Sequence, residues 1–210
     1  MKTSLLSLLC AILFLASCTK TKSTDPIPLP DPDYMALSVG NYWIYEGYRQ
    51  DYLGVFQPTG DTDSAYISGD TVINGNTYYI RHERPIIISQ QQQVAYIRDS
   101  VGYLVDHLGN ILMSETNFTN TLYVDTTAPF LYYGYAMMTG NDSIVSVPAG
   151  DFPSVTMRLT VIPTDTVMHF PTRYVYWVYG ENVGKTKSHL FFFGGDQHFE
   201  ARLVRYHVVQ

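Results

Sequence analysis

From Tyr42 to Val209 the chain is a succession of short runs rich in Val, Ile, Thr and aromatic residues. Turn residues break it at intervals of about ten positions, the spacing of an antiparallel β protein. Thr71-Val72-Ile73 and Thr77-Tyr78-Tyr79-Ile80 flank Asn74-Gly75, a strong hairpin signal because both central residues of a type I′ turn need positive φ. Val94–Arg98, Gly102–Val105, Ser143–Val147, Ser154–Ile162, Tyr174–Tyr179 and Phe199–Val209 read as further strands, and Ser64–Ser68 as a short one. No twelve-residue window shows a capped helical stripe. The expected fold is mainly β: a single antiparallel, strongly curved sheet or half-barrel, with a β-sandwich as the alternative. Pro129–Met138 gives no clear signal, and Gln90–Gln93 reads as a hairpin loop.

The N-terminus has a different character. Lys2 precedes the apolar run Leu5–Leu15, and Leu15-Ala16-Ser17-Cys18 follows it. This is a secretory signal layout, and the apolar run is shorter than the ~20 residues of a membrane-spanning helix. Leu-Ala-Ser-Cys resembles a bacterial lipobox. The resemblance implies cleavage after Ser17, lipidation of Cys18 and attachment to a membrane through acyl chains. Thr19–Asp33 carries four prolines and reads as a semi-rigid tether. The expected organisation is signal 1–17, lipidated Cys and tether 18–33, and one β domain 34–210.

Composition narrows the function. The net charge is −6, without the basic footprint of a nucleic-acid binder. Cys10 and Cys18 are the sole cysteines. The first leaves with the signal and the second is consumed by lipidation, so the mature chain has no thiol for catalysis, a disulfide or a zinc site. A domain of this length buries enough surface to fold without such staples.

Four segments, taken in order, carry a family resemblance. Gly40-Asn41-Tyr42-Trp43-Ile44-Tyr45-Glu46 opens the domain. Gly69-Asp70-Thr71-Val72-Ile73-Asn74-Gly75 with Tyr78-Tyr79 follows, then Val147-Pro148-Ala149-Gly150, then Tyr176-Trp177-Val178 with Asn182-Val183-Gly184-Lys185. The chain resembles a group of uncharacterised Bacteroidetes-type lipoproteins, some of which look like the curved half-barrels of lipoprotein carriers. Glu181-Asn182 stands where that pattern has a small residue, and no helix is evident to plug a half-barrel. No acidic run follows Cys18, and in that group such a run marks surface export. The resemblance therefore implies an outer-membrane protein facing the periplasm. Gly150 and Gly184 read as positive-φ turn positions.

Catalytic and metal motifs are missing. The six histidines form no metal-binding helix pair, and no nucleophile elbow or phosphate loop occurs. His198, Glu200 and Arg202 share one strand face, where a solvated ion pair is the plainer reading. Asp61 and Asp63 open like a calcium loop, but Tyr66 and Val72 occupy positions that need Gly and Glu. Asp-Ser/Thr-apolar triplets at Asp63, Asp70, Asp99, Asp142 and Asp165, with Asp125-Thr126-Thr127, resemble an O-glycosylation acceptor pattern. They also fit turn-then-strand grammar. Trp43, Tyr45, Tyr176 and Trp177 lie on strands aromatic on both faces and are the candidate ligand contacts, although core anchoring is the plainer role for the two Trp. No catalytic residue, metal or cofactor is expected. The function read from the sequence is a non-enzymatic, lipid-anchored envelope module. It would bind an envelope protein or a small hydrophobic or glycan ligand. The alternative is a glycan-directed hydrolase with dispersed carboxylates.

Overall fold

A computed structural model describes residues 32–84, 91–126, 131–164, 171–192, 195 and 197–209. Side chains of residues 141 and 142 are not described. Ser17, Cys18, most of the tether, the glutamine at 90 and the Asp165 triplet lie outside this set. One compact unit runs from Pro32 to Gln210.

Among the described residues twelve strands form one antiparallel sheet. In chain order they are β1 (Tyr42–Gln50), β2 (Phe56–Ile73), β3 (Asn76–Glu83), β4 (Gln93–Asp99), β5 (Tyr103–Asp106) and β6 (Ile111–Ser114). The second half comprises β7 (Tyr123–Asp125), β8 (Tyr132–Val147), β9 (Gly150–Pro163), β10 (Arg173–Gly180), β11 (Gly184–Phe191) and β12 (His198–His207). Across the sheet the order is β6-β5-β4-β3-β2-β1-β12-β11-β10-β9-β8-β7. Each half is therefore a meander, and β1 paired with β12 joins them.

The expected single curved sheet is what forms, and the sandwich is not. Asn74 and Gly75 sit at φ 50° and 79° and turn β2 into β3. Gly150 and Gly184 also have positive φ. The strands are longer than the local signals suggested. Ser64–Ser68 lies inside the eighteen-residue β2. Register shifts opposite Glu46/Tyr48 and at Ile67/Gly69 bend that strand without ending it, with Gly60 and Ser68 at the two irregularities. The same continuity takes Asp61 and Asp63 out of any calcium-type loop. It also places Asp70 within a strand, opposite Tyr79, and not at the end of a turn.

Alternation explains the core. In β1, Trp43 and Tyr45 are buried while Tyr42 is exposed, and β2 buries Asp63, Ala65 and Ile67 in step. One buried cluster joins Ile97, Leu104 and Met113 of β4–β6 to Ala136, Met138, Val155 and Met157 of β8–β9. These strands stand near opposite ends of the sheet order, so the sheet is rolled until its two ends face each other. The Ser114 N–H donates to Met138 Sδ at 3.4 Å across that seam. The result is a nearly closed barrel.

One end of the barrel is covered by the segment before β1. Tyr34, Met35 and Ala36 are buried there. The Asp33 side chain accepts from the N–H groups of Met35 and Ala36, and the Tyr34 N–H donates to Glu115 Oε1 at 2.8 Å. The Asn182 N–H donates to the Asp33 carbonyl at 2.6 Å. Among the described residues there is no helix.

Candidate functional site

The inside of the roll is not filled. Two neighbouring chambers, about 510 and about 570 Å³, share Glu83, Trp177 and Lys185 in their walls. The first is walled largely by Leu159, Val175, Leu190, Phe191 and Ala201. The second meets Ile97, Leu104, Ile111 and Met157, and also Asp106 and Asp125. Both lie towards the end bearing the β3–β4 and β11–β12 hairpins, opposite the Tyr34–Ala36 strap.

A belt of charge crosses the waist between them. Arg81 and Glu83 are two apart on β3 and so share its inner face, while His82 between them stacks outside on Tyr66 at 4.6 Å. Glu83 lies opposite Ala65 and Arg81 opposite Ile67. On the far wall a register shift at Val178/Tyr179 aligns Tyr179 with Lys185. Lys185 reaches across to form an ion pair with Glu83, and Arg81 Nη2 stands 3.4 Å from Glu83 Oε2. The Tyr45 hydroxyl donates to the Lys185 carbonyl at 2.8 Å. The Lys185 ammonium sits over the Tyr45 ring at 5.7 Å, and the Arg81 guanidinium over Trp43 at 5.4 Å.

Burial works against every charge in the belt, and the partners decide the outcome. It would raise Glu83, but Arg81 and Lys185 overturn that and hold the carboxyl down to about 2. Asp63 has no such pair. Burial first, then the Glu83 charge, push it up to about 6. Burial lowers Lys185 despite Glu83, whereas Arg81 is raised because Glu83 and the neighbouring tyrosines outweigh its desolvation. Burial also raises the Tyr45 and Tyr179 hydroxyls, which stay protonated as donors.

The four aromatic candidates divide. Tyr45 and Trp177 line the lumen. Trp43 is buried behind the belt, and its indole N–H donates to the Val183 carbonyl at 2.6 Å. Tyr176 faces outward, because it is adjacent to Trp177 on one strand and strand neighbours point opposite ways. It lies beside His189 in a separate hollow with His198 and Glu200. His198, Glu200 and Arg202 do share one face of β12. Glu200 pairs with Lys187 at 2.7 Å and with Arg202 at 2.6 Å, while the His189 and His198 ring nitrogens meet at 2.9 Å. Among the described residues no three metal-ligating side chains gather.

Sequence reasoning did not find Arg81, Glu83, Lys185 or the inner role of Asp63. The available signal was Arg81-His82-Glu83 on a strand whose partner presents Ala65 and Ile67. Two charges at a spacing of two, facing apolar residues, mark a polar patch inside a roll.

No protein-family model matches the sequence, and no curated protein matches it. Among solved structures the chain is similar to a candidate lipoprotein from Parabacteroides distasonis ATCC 8503. The two are 12% identical with a TM-score of 0.51, covering 85% of this chain and 100% of that one. It is also similar to a candidate exported protein with a YmcC-like fold from Bacteroides fragilis NCTC 9343. That pair is 11% identical with a TM-score of 0.47, covering 82% of this chain and 98% of that one. The likeness to the Parabacteroides protein is one of fold: a single rolled antiparallel sheet.

Proposed function

We propose that the protein is a non-enzymatic, lipid-anchored envelope module that binds an elongated, mostly apolar small molecule inside its rolled sheet. The observation that carries this reading is the pair of adjoining chambers, apolar along most of their walls, with a polar waist. Sites of this size and lining are typical of small-molecule binding. The lipobox-like Leu15–Cys18 supports an acyl anchor, and the missing acidic run after Cys18 supports the periplasmic face of the outer membrane. The fold neighbours, a candidate lipoprotein and a candidate exported protein, are consistent with an envelope location.

The test is native mass spectrometry of Thr19–Gln210 purified from the periplasm of its own host. A co-purifying small molecule, lost on denaturation, is the expected result. A ligand-free mass, with no uptake of any offered amphiphile, overturns the reading.

One observation favours the second reading, a glycan-directed hydrolase. Asp63 and Glu83 line the same chamber with their carboxyl pKa values driven apart, as an acid and its partner require. Against it, Glu83 is engaged by both Lys185 and Arg81. Release of nitrophenol from aryl glycosides, abolished by Asp63→Asn, would favour hydrolysis over binding alone.

A further inference from the structure

The waist has more hydrogen-bond donors than acceptors. Arg81 and Lys185 bring a guanidinium and an ammonium into the lumen, with side chains only 12% and 14% exposed. The acceptors facing them are one Glu83 carboxylate, shared between the two cations, and Asp63. The mismatch is sharpest at Arg81. Its Nε and Nη2 are buried and make no well-aligned hydrogen bond: the Tyr45 hydroxyl stands close by, and Glu83 faces Nη2 at 3.4 Å. Nε and Nη2 form the side-on edge of a guanidinium, two parallel N–H groups that take a carboxylate or phosphate bidentately. Buried donors left open in this way are uncommon in folded proteins and call for an explanation.

Resting on the binding reading above, we propose that the ligand is a single-chain amphiphile with an anionic head. Its carboxylate or phosphate seats at the waist, where Arg81 of the second chamber's wall meets the Lys185 and Glu83 shared by both chambers. Its tail lies in the chamber walled by Leu159, Val175, Leu190 and Phe191. The other chamber is the poorer place for the tail, since Asp106 and Asp125 add carboxylates to its wall. The Tyr45 hydroxyl, whose proton goes to the Lys185 carbonyl, and the Tyr179 hydroxyl stay neutral and add no competing charge. Asp63 and Glu83 are the acids nearest the head, so binding tightens as Asp63 takes up its proton.

The test is calorimetric titration of the soluble Thr19–Gln210 protein with dodecanoate, dodecyl phosphate and dodecanol, three probes with one tail. At least one anion binding ten-fold or more tighter than the alcohol is the expected result, and the stronger of the two tells carboxylate from phosphate. Arg81→Met should remove that preference, and Arg81→Lys should restore it only in part. Dodecanol binding as tightly as both anions overturns the head-group assignment but leaves the lumen reading standing. So does a preference that survives in Arg81→Met. Binding of none of the three overturns both. The head-group comparison is made in the unaltered protein, so it holds even if a variant fails to fold.

Discussion

Trp43 of β1 donates its indole N–H to the carbonyl of Val183, 140 positions later in the β10–β11 turn, at 2.6 Å. The bond ties the middle of the sheet to the end closed by the Tyr34–Ala36 strap, where Gly184 lies against both Trp43 and Ala36. Trp43→Phe keeps most of the apolar contact but leaves that carbonyl without its donor. The expected loss is about 2 kcal/mol in urea denaturation, with an unchanged slope. A loss indistinguishable from zero would show that the bond contributes nothing net.

Glu83 pairs with both Arg81 and Lys185, and the next carboxyl facing them, Asp63, is itself pushed towards its neutral form. Glu83→Gln leaves Arg81 and Lys185 uncompensated and should cost about 3–5 kcal/mol. Adding Arg81→Met and Lys185→Met to Glu83→Leu should recover much of this, since the three groups act as one unit. Chemical denaturation of both variants checks the pair, and strict additivity would refute the coupling.

Acid should act on the two lumen carboxyls in opposite senses. Asp63 rises from 3.8 to about 6 on folding, so the native state holds its proton more tightly, and stability increases as pH falls through that window. Glu83 drops from 4.5 to about 2, so its contribution is present above 4.5 and is lost as pH falls below it. The melting temperature should therefore peak at mildly acidic pH. Asp63→Asn should stabilise the protein at neutral pH and flatten the climb between pH 7 and the peak. A variant profile parallel to wild type would rule Asp63 out as the titrating group.

Two glycines with nearly equal φ separate backbone strain from crowding. Gly75 has φ +79° and open space around it, and Gly75→Ala should cost about 1 kcal/mol. Gly184 has φ +85°, and a Cβ there would meet the Ala36 Cβ at 3.3 Å and the Met35 carbonyl at 3.4 Å. Gly184→Ala should cost about 3 kcal/mol, because the strap has to move as well. Equal losses would mean that the strap yields freely.

Cys18→Ser removes the thiol that lipidation needs. The variant should leave the membrane fraction and retain its uncleaved signal, while globomycin treatment of wild type should cause the same precursor to accumulate. Membrane association unchanged by the substitution would exclude an acyl anchor at Cys18.

The parts of the fold legible in the sequence were those written in local chemistry. Asn74-Gly75 announced its hairpin because few dipeptides tolerate φ of 50° and 79° in succession. Trp43 was readable as a core anchor from its size alone. Strand length was not readable, because Gly60 and Gly69 look the same in a sequence whether they end a strand or lie at an irregularity within it. The lumen was hidden for a different reason. Lys185 and Glu83 are 102 positions apart and meet only once the sheet has rolled. Tyr176 and Trp177 showed the limit of composition: both are aromatic, yet the pleat sends one outside and the other into the cavity.

The order of strands has a consequence for how the chain is cut. β1 and β12 lie side by side, and the Val209 N–H donates to the Asn41 side chain at 2.8 Å, so the two ends of the domain meet. The residues linking β6 to β7 run between the two outer edges of the sheet. Joining the ends of the domain and opening the chain between Ser114 and Tyr123 would give the order β7 through β12 followed by β1 through β6. In that circular permutant every ladder would unite consecutive strands. Topologically, then, the described strands form an uninterrupted zigzag entered at its midpoint, and among their ladders β1 with β12 is the one that must wait for the whole chain.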